Sequence, residues 1–280
     1  MNTIRFPGIN LKLNISKTAF NFCGIKIYKY AICIIIGAAI GLLVAFINSK
    51  KIKLDFNEIL EKFIYTFILG IIGARLYFVL FKFSYYKNNL LQILNLRDGG
   101  LAIYGGLILG ATFLIISYSK NKEKLLNILD LCAPSVIIAQ SIGRWGNFFN
   151  IEAYGYETKT FLRMGINTLN GYIEVHPTFL YESFACFIIF IILEIILCKR
   201  KIKGQVAITY CLLYSFIRFF IEGLRADSLM FLGFKISQII SIILFIISFV
   251  IIVLLSRKMS YEKQGKYWYF IDFAVIICYF

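Results

Sequence analysis

Residues Ile137–Gly155 read IIAQSIGRWGNFFNIEAYG, an apolar run that passes directly into arginine, asparagine and glutamate. Arg144, Asn147, Asn150 and Glu152 fall within nine residues. In water this would be an ordinary helix end. At bilayer depth it is costly, because an ionisable side chain there must be paired or hydrated, and such groups are functional candidates by default. The reading of the stretch therefore turns on the solvent that surrounds it.

Composition answers that. Of 280 residues, 60% are hydrophobic and 16% charged, the mean hydropathy is +0.78, and a soluble domain has about a quarter of its residues charged. Apolar runs recur at about 30–47, 61–81, 101–119, 128–148, 178–198, 205–223 and 236–255. Each approaches the ~20 residues that a transmembrane helix needs. The expected fold is an all-α polytopic membrane bundle with about seven transmembrane helices. No linker divides the chain, so residues 1–280 are expected to form one integral-membrane domain. The opening MNTIRFPGINLKLNISKTAF lacks the continuous apolar core and small-residue cleavage site of a signal peptide, and is expected to stay in the mature protein.

Charge fixes the expected orientation. Lys50, Lys51 and Lys53 follow the first run, Lys120, Lys122 and Lys124 the third, and Lys199, Arg200, Lys201 and Lys203 the fifth. Arg257, Lys258, Lys263 and Lys266 follow the seventh. All four clusters fall on one face, which the positive-inside rule assigns to the cytoplasm, with the N terminus outside. Arg5, Lys12, Lys17 and Lys26 weigh against this without reversing it. The polar ends carrying Tyr104, Arg144, Glu152, His176 and Arg225 then point outward. So does the longest loop, 149–177, whose Gly155, Gly165, Gly171 and NTLNGY signal an ordered loop or small hairpin. Residues 256–280 become a cytoplasmic tail, in which 267–280 is apolar but too short to span and reads as an interfacial segment.

The net charge of +15 sits in clusters between apolar runs, which points to anionic membrane lipid and away from nucleic acid. The seven cysteines form no CxxC pair and read as small core residues. The sixth run ends YSFIRFFIEGLRADS, placing Tyr214, Arg218, Glu222 and Arg225 within roughly 80° of arc on one helix face. Its simplest interpretation is an Arg–Glu–Arg ladder. Two arginines to one glutamate leave surplus positive charge, which suits an anion. Arg144, between Gly143 and Gly146 and beside Asn147, could complete a phosphate clamp with Arg218 through planar, bidentate recognition. Snorkelling toward the outer interface is the alternative for Arg144.

In RDGGLAIYGGLILG, two Gly-Gly pairs surround Tyr104, and close helix packing accounts for them more simply than a nucleotide loop. His176, the only histidine, opens HPTFLYES. It could serve as a base or as a hydrogen-bonded structural group, and without ligand-spaced partners it makes no metal site. Arg75 and Tyr30 either line a cavity or bridge helices.

In this order and at these separations, GGLAIYGG, GRWGNFFNIEAYG, HPTFLYE and YSFIRFFIEGLRADS resemble the prolipoprotein diacylglyceryl transferases of bacteria. The likeness runs from about Tyr28 to Ser228. It implies a seven-span enzyme of the cytoplasmic membrane that moves the diacylglyceryl group of phosphatidylglycerol to the lipobox cysteine of a prolipoprotein signal peptide. A thioether forms, glycerol 1-phosphate leaves, and no metal, nucleotide or redox cofactor takes part. It further implies that Arg144, Asn147, Glu152 and Gly155 belong to the signature and that Tyr214, Arg218, Glu222 and Arg225 match an essential stripe. Catalytic work falls to Arg218, Arg144, Tyr104 and Glu222; Asn147, Glu152, Gly155, Tyr214, Arg225, Tyr30 and His176 join Arg144 in holding substrate. Two positions depart from the pattern. The usual WYG near Tyr30 is KYA here, and many Gram-negative members have histidine where this chain has Tyr104. A free phenol titrates near about 10, so a phenolic base would need adjacent positive charge. Two rivals remain: a transporter for an anionic solute, which internal repeats and matched broken helices would favour, and a non-catalytic lipid-binding scaffold.

Overall fold

The computed structural model describes residues 2–22, 25–87, 89–95, 99–168, 171–228, 230–231 and 233–263, so the segment at 267–280 lies outside the described residues. Eight helices are described: α1 Lys29–Lys51, α2 Phe56–Phe81, α3 Phe83–Tyr86, α4 Ile103–Ser117, α5 Lys122–Asn150, α6 Thr178–Lys199, α7 Gln205–Leu224 and α8 Ile236–Lys263. Six of them are long and apolar enough to cross a membrane, and α4 adds a shorter apolar helix. The chain is thus a polytopic helical membrane protein. Its outward apolar faces agree: Ile35 and Phe67, inside α1 and α2, are 66% and 59% exposed.

The helices group into two compact units, one of residues up to Ala45 together with those from Asp130 onward, the other Phe46–Leu129. In the second unit α2 starts at a proper cap, where the Asp55 carboxylate accepts from the Asn57 amide at 3.0 Å. Glu58 in its first turn accepts from Lys124 Nζ at 2.6 Å and from the Tyr118 hydroxyl at 3.2 Å. Helices α2 and α4 then pack backbone to backbone. A methyl group on Gly73 or Gly105 would strike the other's carbonyl oxygen, and one on Gly106 would lie 3.0 Å from the Gly70 oxygen. Of the two Gly-Gly pairs around Tyr104, Gly105-Gly106 serves this contact, the small-residue packing that membrane helices favour, whereas Gly99-Gly100 lies before α4 at positive φ.

In the first unit α1 approaches α5 the same way: a methyl on Gly37 would come 2.9 Å from the Ala139 oxygen and one on Gly41 2.8 Å from that of Ser135. Helices α5 and α6 are clasped by two serines, each hydroxyl donating to the other's carbonyl at 2.8 Å. Asp130, wholly buried, accepts from Arg200 at 2.6 Å and from the amides of Gly204 and Ala207 at 2.8 and 2.9 Å, closing the start of α7. A buried carboxylate at a helix N-terminus is stabilised both by the free amides and by the helix dipole.

No strand is expected before α1 from the sequence, yet that region is folded. β1 Asn2–Phe6 and β2 Leu11–Ile15 form a hairpin that turns through Pro7–Ile9 and Asn10, at φ 51°. Register pairs Ile4 with Leu13 and Phe6 with Leu11. Strands β3 Thr18–Phe22 and β4 Ile25–Tyr28 pair separately. In the expected outer loop, β5 Met164–Thr168 and β6 Gly171–Val175 form the anticipated hairpin, and β1 joins β5 to make a sheet ordered β2-β1-β5-β6. Its apolar face, Ile4, Phe6, Ile15, Met164, Ile166 and Val175, is buried against Phe148 of α5 and Phe179 of α6. A short pair, β7 Met230–Phe231 and β8 Phe234–Lys235, leads into α8.

Candidate active site

Helix α5 ends and α6 begins beneath the four-stranded sheet, and the charged groups lie toward the ends of α5 and α7 and in the first turns of α6. Glu182, in the first turns of α6 and 2% exposed, holds them together. Its Oε1 meets Arg144 Nη2 at 2.7 Å, and its Oε2 meets Arg218 Nη1 at 3.0 Å. The Tyr214 hydroxyl also donates to Oε1, at 3.1 Å. Arg218 turns its second terminal nitrogen to Glu222, one turn along α7. Arg225 Nη1 stands 3.8 Å from Glu222, while its Nε and Nη2 donate to the Asp227 carboxylate at 3.0 and 3.2 Å. One network thus joins three helices through alternating positive and negative charge.

This changes the charge balance read along α7 alone. The surplus of arginine over glutamate disappears once Glu182 and Asp227 are included, for three arginines face three carboxylates. The physical reason is the membrane: a lone guanidinium in a buried site carries a large desolvation penalty, which paired carboxylates offset. Breaking one partner leaves another charge buried and unpaired.

The signature loop is clipped to the same place. Helix α5 ends with Ile151 at φ 54°, and the Glu152 amide reaches back to the Asn147 carbonyl at 3.1 Å. That is a Schellman-type stop with a β-branched residue in the left-handed position usually taken by glycine. It brings the Glu152 carboxylate over the helix end, where Asn147 and Asn150 donate to it at 2.9 and 3.3 Å. Gly155 donates to the His176 carbonyl at 2.9 Å and bridges to Arg225. A methyl at Gly155 would come within 2.7 Å of the His176 β-carbon and 2.8 Å of the Leu224 oxygen, so glycine is needed for the close approach. Gly146 is needed likewise, because the Tyr30 ring would lie 2.6 Å from its methyl. Beside Arg144 the chain leaves room, for nothing stands within 4 Å of where a Gly143 side chain would begin.

His176 lies just before α6, its Nδ1 3.3 Å from the Tyr181 hydroxyl, and burial pulls the imidazole below its usual value. The neutral ring is therefore the form present at pH 7. On the sheet above, the Tyr172 hydroxyl donates to Glu174 at 3.1 Å, and burial together with that carboxylate pushes the phenol up. Arg144, Asn147, Glu152, Gly155, His176, Tyr214, Arg218, Glu222, Arg225 and Tyr30 all belong to the first unit. Tyr104 stands in the first turn of α4 in the second.

Two participants were not singled out beforehand as site residues. Glu182 was visible only as part of HPTFLYE. Lys235 gave no signal at all, yet its ammonium donates to the carbonyls of Glu222, Gly223 and Arg225 at 2.8, 3.2 and 2.7 Å, capping the end of α7. It also sits 5.0 Å from the Tyr156 ring centroid.

With this arrangement in view, comparison with known proteins is decisive. The family profile described as prolipoprotein diacylglyceryl transferase matches residues 17–254. The chain belongs to the prolipoprotein diacylglyceryl transferase family. A phosphatidylglycerol–prolipoprotein diacylglyceryl transferase of Clostridium botulinum is 45% identical over 246 residues, covering 86% of this chain and 97% of the relative. One of Finegoldia magna is 41% identical over 249 residues, covering 89% and 96%. One of Clostridium kluyveri is 43% identical over 240 residues, covering 82% and 92%. The matched span of this transferase-family chain contains every charged group of the network described above.

Proposed function

We propose that the protein transfers the diacylglyceryl group of phosphatidylglycerol to the lipobox cysteine in the signal peptide of a prolipoprotein, the first step of bacterial lipoprotein maturation. It does so as a single transferase domain in the cytoplasmic membrane, with the site toward the outer face. The relatives' names supply donor and acceptor. The observation that carries the reading here is the convergence of Arg144 and Arg218 on Glu182, with Glu222 and Arg225 continuing the chain of charge.

The reaction exchanges one C–O bond for one C–S bond. The cysteine thiolate attacks the glyceryl carbon bonded to phosphate, and the C–O electron pair departs on the phosphate oxygen of glycerol 1-phosphate. The thiol proton passes to a base. Two demands follow: stabilising charge that builds on the leaving phosphate, and favouring the thiolate. Preorganised guanidinium groups meet both, since they bind phosphate through paired N–H donors and lower the pKa of a nearby thiol. In this reading Arg144 and Arg218 grip the phosphate and Glu222 keeps Arg218 in place. Asn147, Glu152 and Gly155 fix the loop over the site, and Tyr214, Arg225, Tyr30 and His176 line it. Tyr104 handles the thiol, as proton acceptor or by orienting it. Glu182 and Glu222 each hold an arginine so that it costs little to reorganise when substrate arrives.

The test mixes purified protein with phosphatidylglycerol and a lipobox peptide and looks by mass spectrometry for a diacylglyceryl thioether. Product from the wild type and none from Arg218→Ala is expected. No product from folded, lipid-replete protein beside a working positive control would overturn the assignment.

A further inference from the structure

We propose that Arg75 is a positioning residue for the transfer, acting through Tyr104; this rests on the role for Tyr104 given above. Arg75 lies near the end of α2 and is 6% exposed. A buried arginine ordinarily faces a carboxylate. This one faces backbone carbonyls instead. Its Nε donates to Ile93 at 2.7 Å, Nη1 to Gly99 and Gly100 at 2.6 and 3.0 Å, and Nη2 to Gln92 and Asn95 at 2.7 and 2.9 Å. A guanidinium has five N–H groups, so every donor is used. Its guanidinium carbon lies over the Tyr86 ring, 5.2 Å from the centroid.

The consequence is geometric. The five acceptors stand on both sides of residues 96–98, so one side chain fastens the two ends of the segment that leads into α4. Gly99 and Gly100 adopt φ 79° and 80°, backbone that side chains resist, and a methyl on Gly100 would come 2.6 Å from Arg75 Nη1. Immediately beyond, the Ala102 amide donates to the carbonyl of Ala74, the neighbour of Arg75 in α2, at 3.0 Å. Helix α4 begins at the next residue, and Tyr104 follows in its first turn. Arg75 thus sets where that turn starts. It cannot also serve as an anion site: the cavity of about 530 Å³ that it borders with Lys82, Ser84 and Gly100 meets a guanidinium with no free N–H. Lysine would keep the charge but has three donors in place of a planar fork of five.

The experiment is a double-mutant cycle on the full-length protein in phosphatidylglycerol-containing micelles, comparing wild type, Arg75→Lys, Tyr104→Phe and the pair. Arg75→Lys is expected to lower kcat by about tenfold or more with KM for phosphatidylglycerol within about twofold, the pattern of a lost interaction at the reacting centre. In the Tyr104→Phe background the same substitution should do little further, since residues acting through one another are not additive. Wild-type kcat in Arg75→Lys beside a slow Tyr104→Phe would overturn the role of Arg75 alone. Equal losses in both backgrounds would overturn it too, by showing an effect that does not run through Tyr104. Full activity in Tyr104→Phe would overturn the reading of Tyr104 and this inference with it.

Discussion

Glu182 shows why single residues matter most when they sit between elements. It takes Arg144 on one oxygen and Arg218 on the other, and receives the Tyr214 hydroxyl as well. Replacing it with glutamine keeps the shape and removes the charge. Two guanidinium groups are then left short of a partner in a buried site, a loss of about 3–5 kcal/mol for a broken buried pair. We predict that Glu182→Gln lowers kcat/KM for phosphatidylglycerol on the order of 100-fold while the purified protein keeps its helical circular dichroism. Activity within about twofold of wild type would remove Glu182 from the site. The residue was unreadable as a partner in the sequence because the ion pairs cross from α6 to α5 and α7, and the one to Arg218 spans 36 positions. The ladder of Arg218, Glu222 and Arg225, by contrast, needed only helical spacing. His176 adds a pH dependence. Burial holds its folded pKa below the unfolded value of 6.5, so the unfolded chain binds the proton more readily. Its contribution to stability is complete above about pH 6.5 and is lost as pH falls from there toward the folded pKa. The melting temperature of His176→Gln should fall less between pH 7.5 and 5.5 than that of the wild type, and parallel curves would place the titration elsewhere.

At the scale of elements, the end of α7 is held by contacts that no helix pattern encodes. A helix leaves its last carbonyls without partners and carries partial negative charge there. Lys235 answers both needs, and the Tyr156 amide takes the Leu224 carbonyl at 2.9 Å. Lys235→Met should lower stability by about 1–2 kcal/mol, the range for a cation in a partly buried C-terminal position. It should also quicken amide exchange across 222–226, with Lys235→Arg less affected. Unchanged exchange in the methionine variant would show that the cap does not hold α7. The apolar runs gave all seven long or shorter apolar helices because each declares itself locally through composition. The strands before α1 did not, because β1 is completed by β5, a partner from the middle of the sequence whose Gly165 pairs with Arg5, and by the aromatic floor of Phe148 and Phe179. Its alternation is short and interrupted by Pro7 and Gly8. The hairpin of β5 and β6 was legible because Gly165, Gly171 and the polar turn lie within it.

Across the whole molecule, basic residues gather at helix ends: Lys50 and Lys51 close α1, Lys122 opens α5, and Lys199 closes α6. If each long helix and α4 cross once, these ends share one side. An anionic leaflet rewards each such residue by about 1 kcal/mol, so the clustered ends favour the cytoplasm together. Two of the four opposing basic residues of the N-terminal region are engaged in the four-stranded sheet: Arg5 and Lys12 face each other across β1 and β2, and Arg5 lies 5.6 Å from the Tyr172 ring centroid. Residues folded into a sheet that rests on the ends of α5 and α6 are poorly placed to act as a retention signal. The prediction is that a membrane-impermeant maleimide labels Lys159→Cys, in the loop that carries the signature, in intact cells. Lys122→Cys in the same background, with the seven native cysteines replaced, should label only after permeabilisation. The reverse pattern would put Arg144, Glu182 and Arg218 at the cytoplasmic face. A thiol acceptor presented from the outer side of the membrane could not then reach the network, and the proposed direction of transfer would fall with the topology.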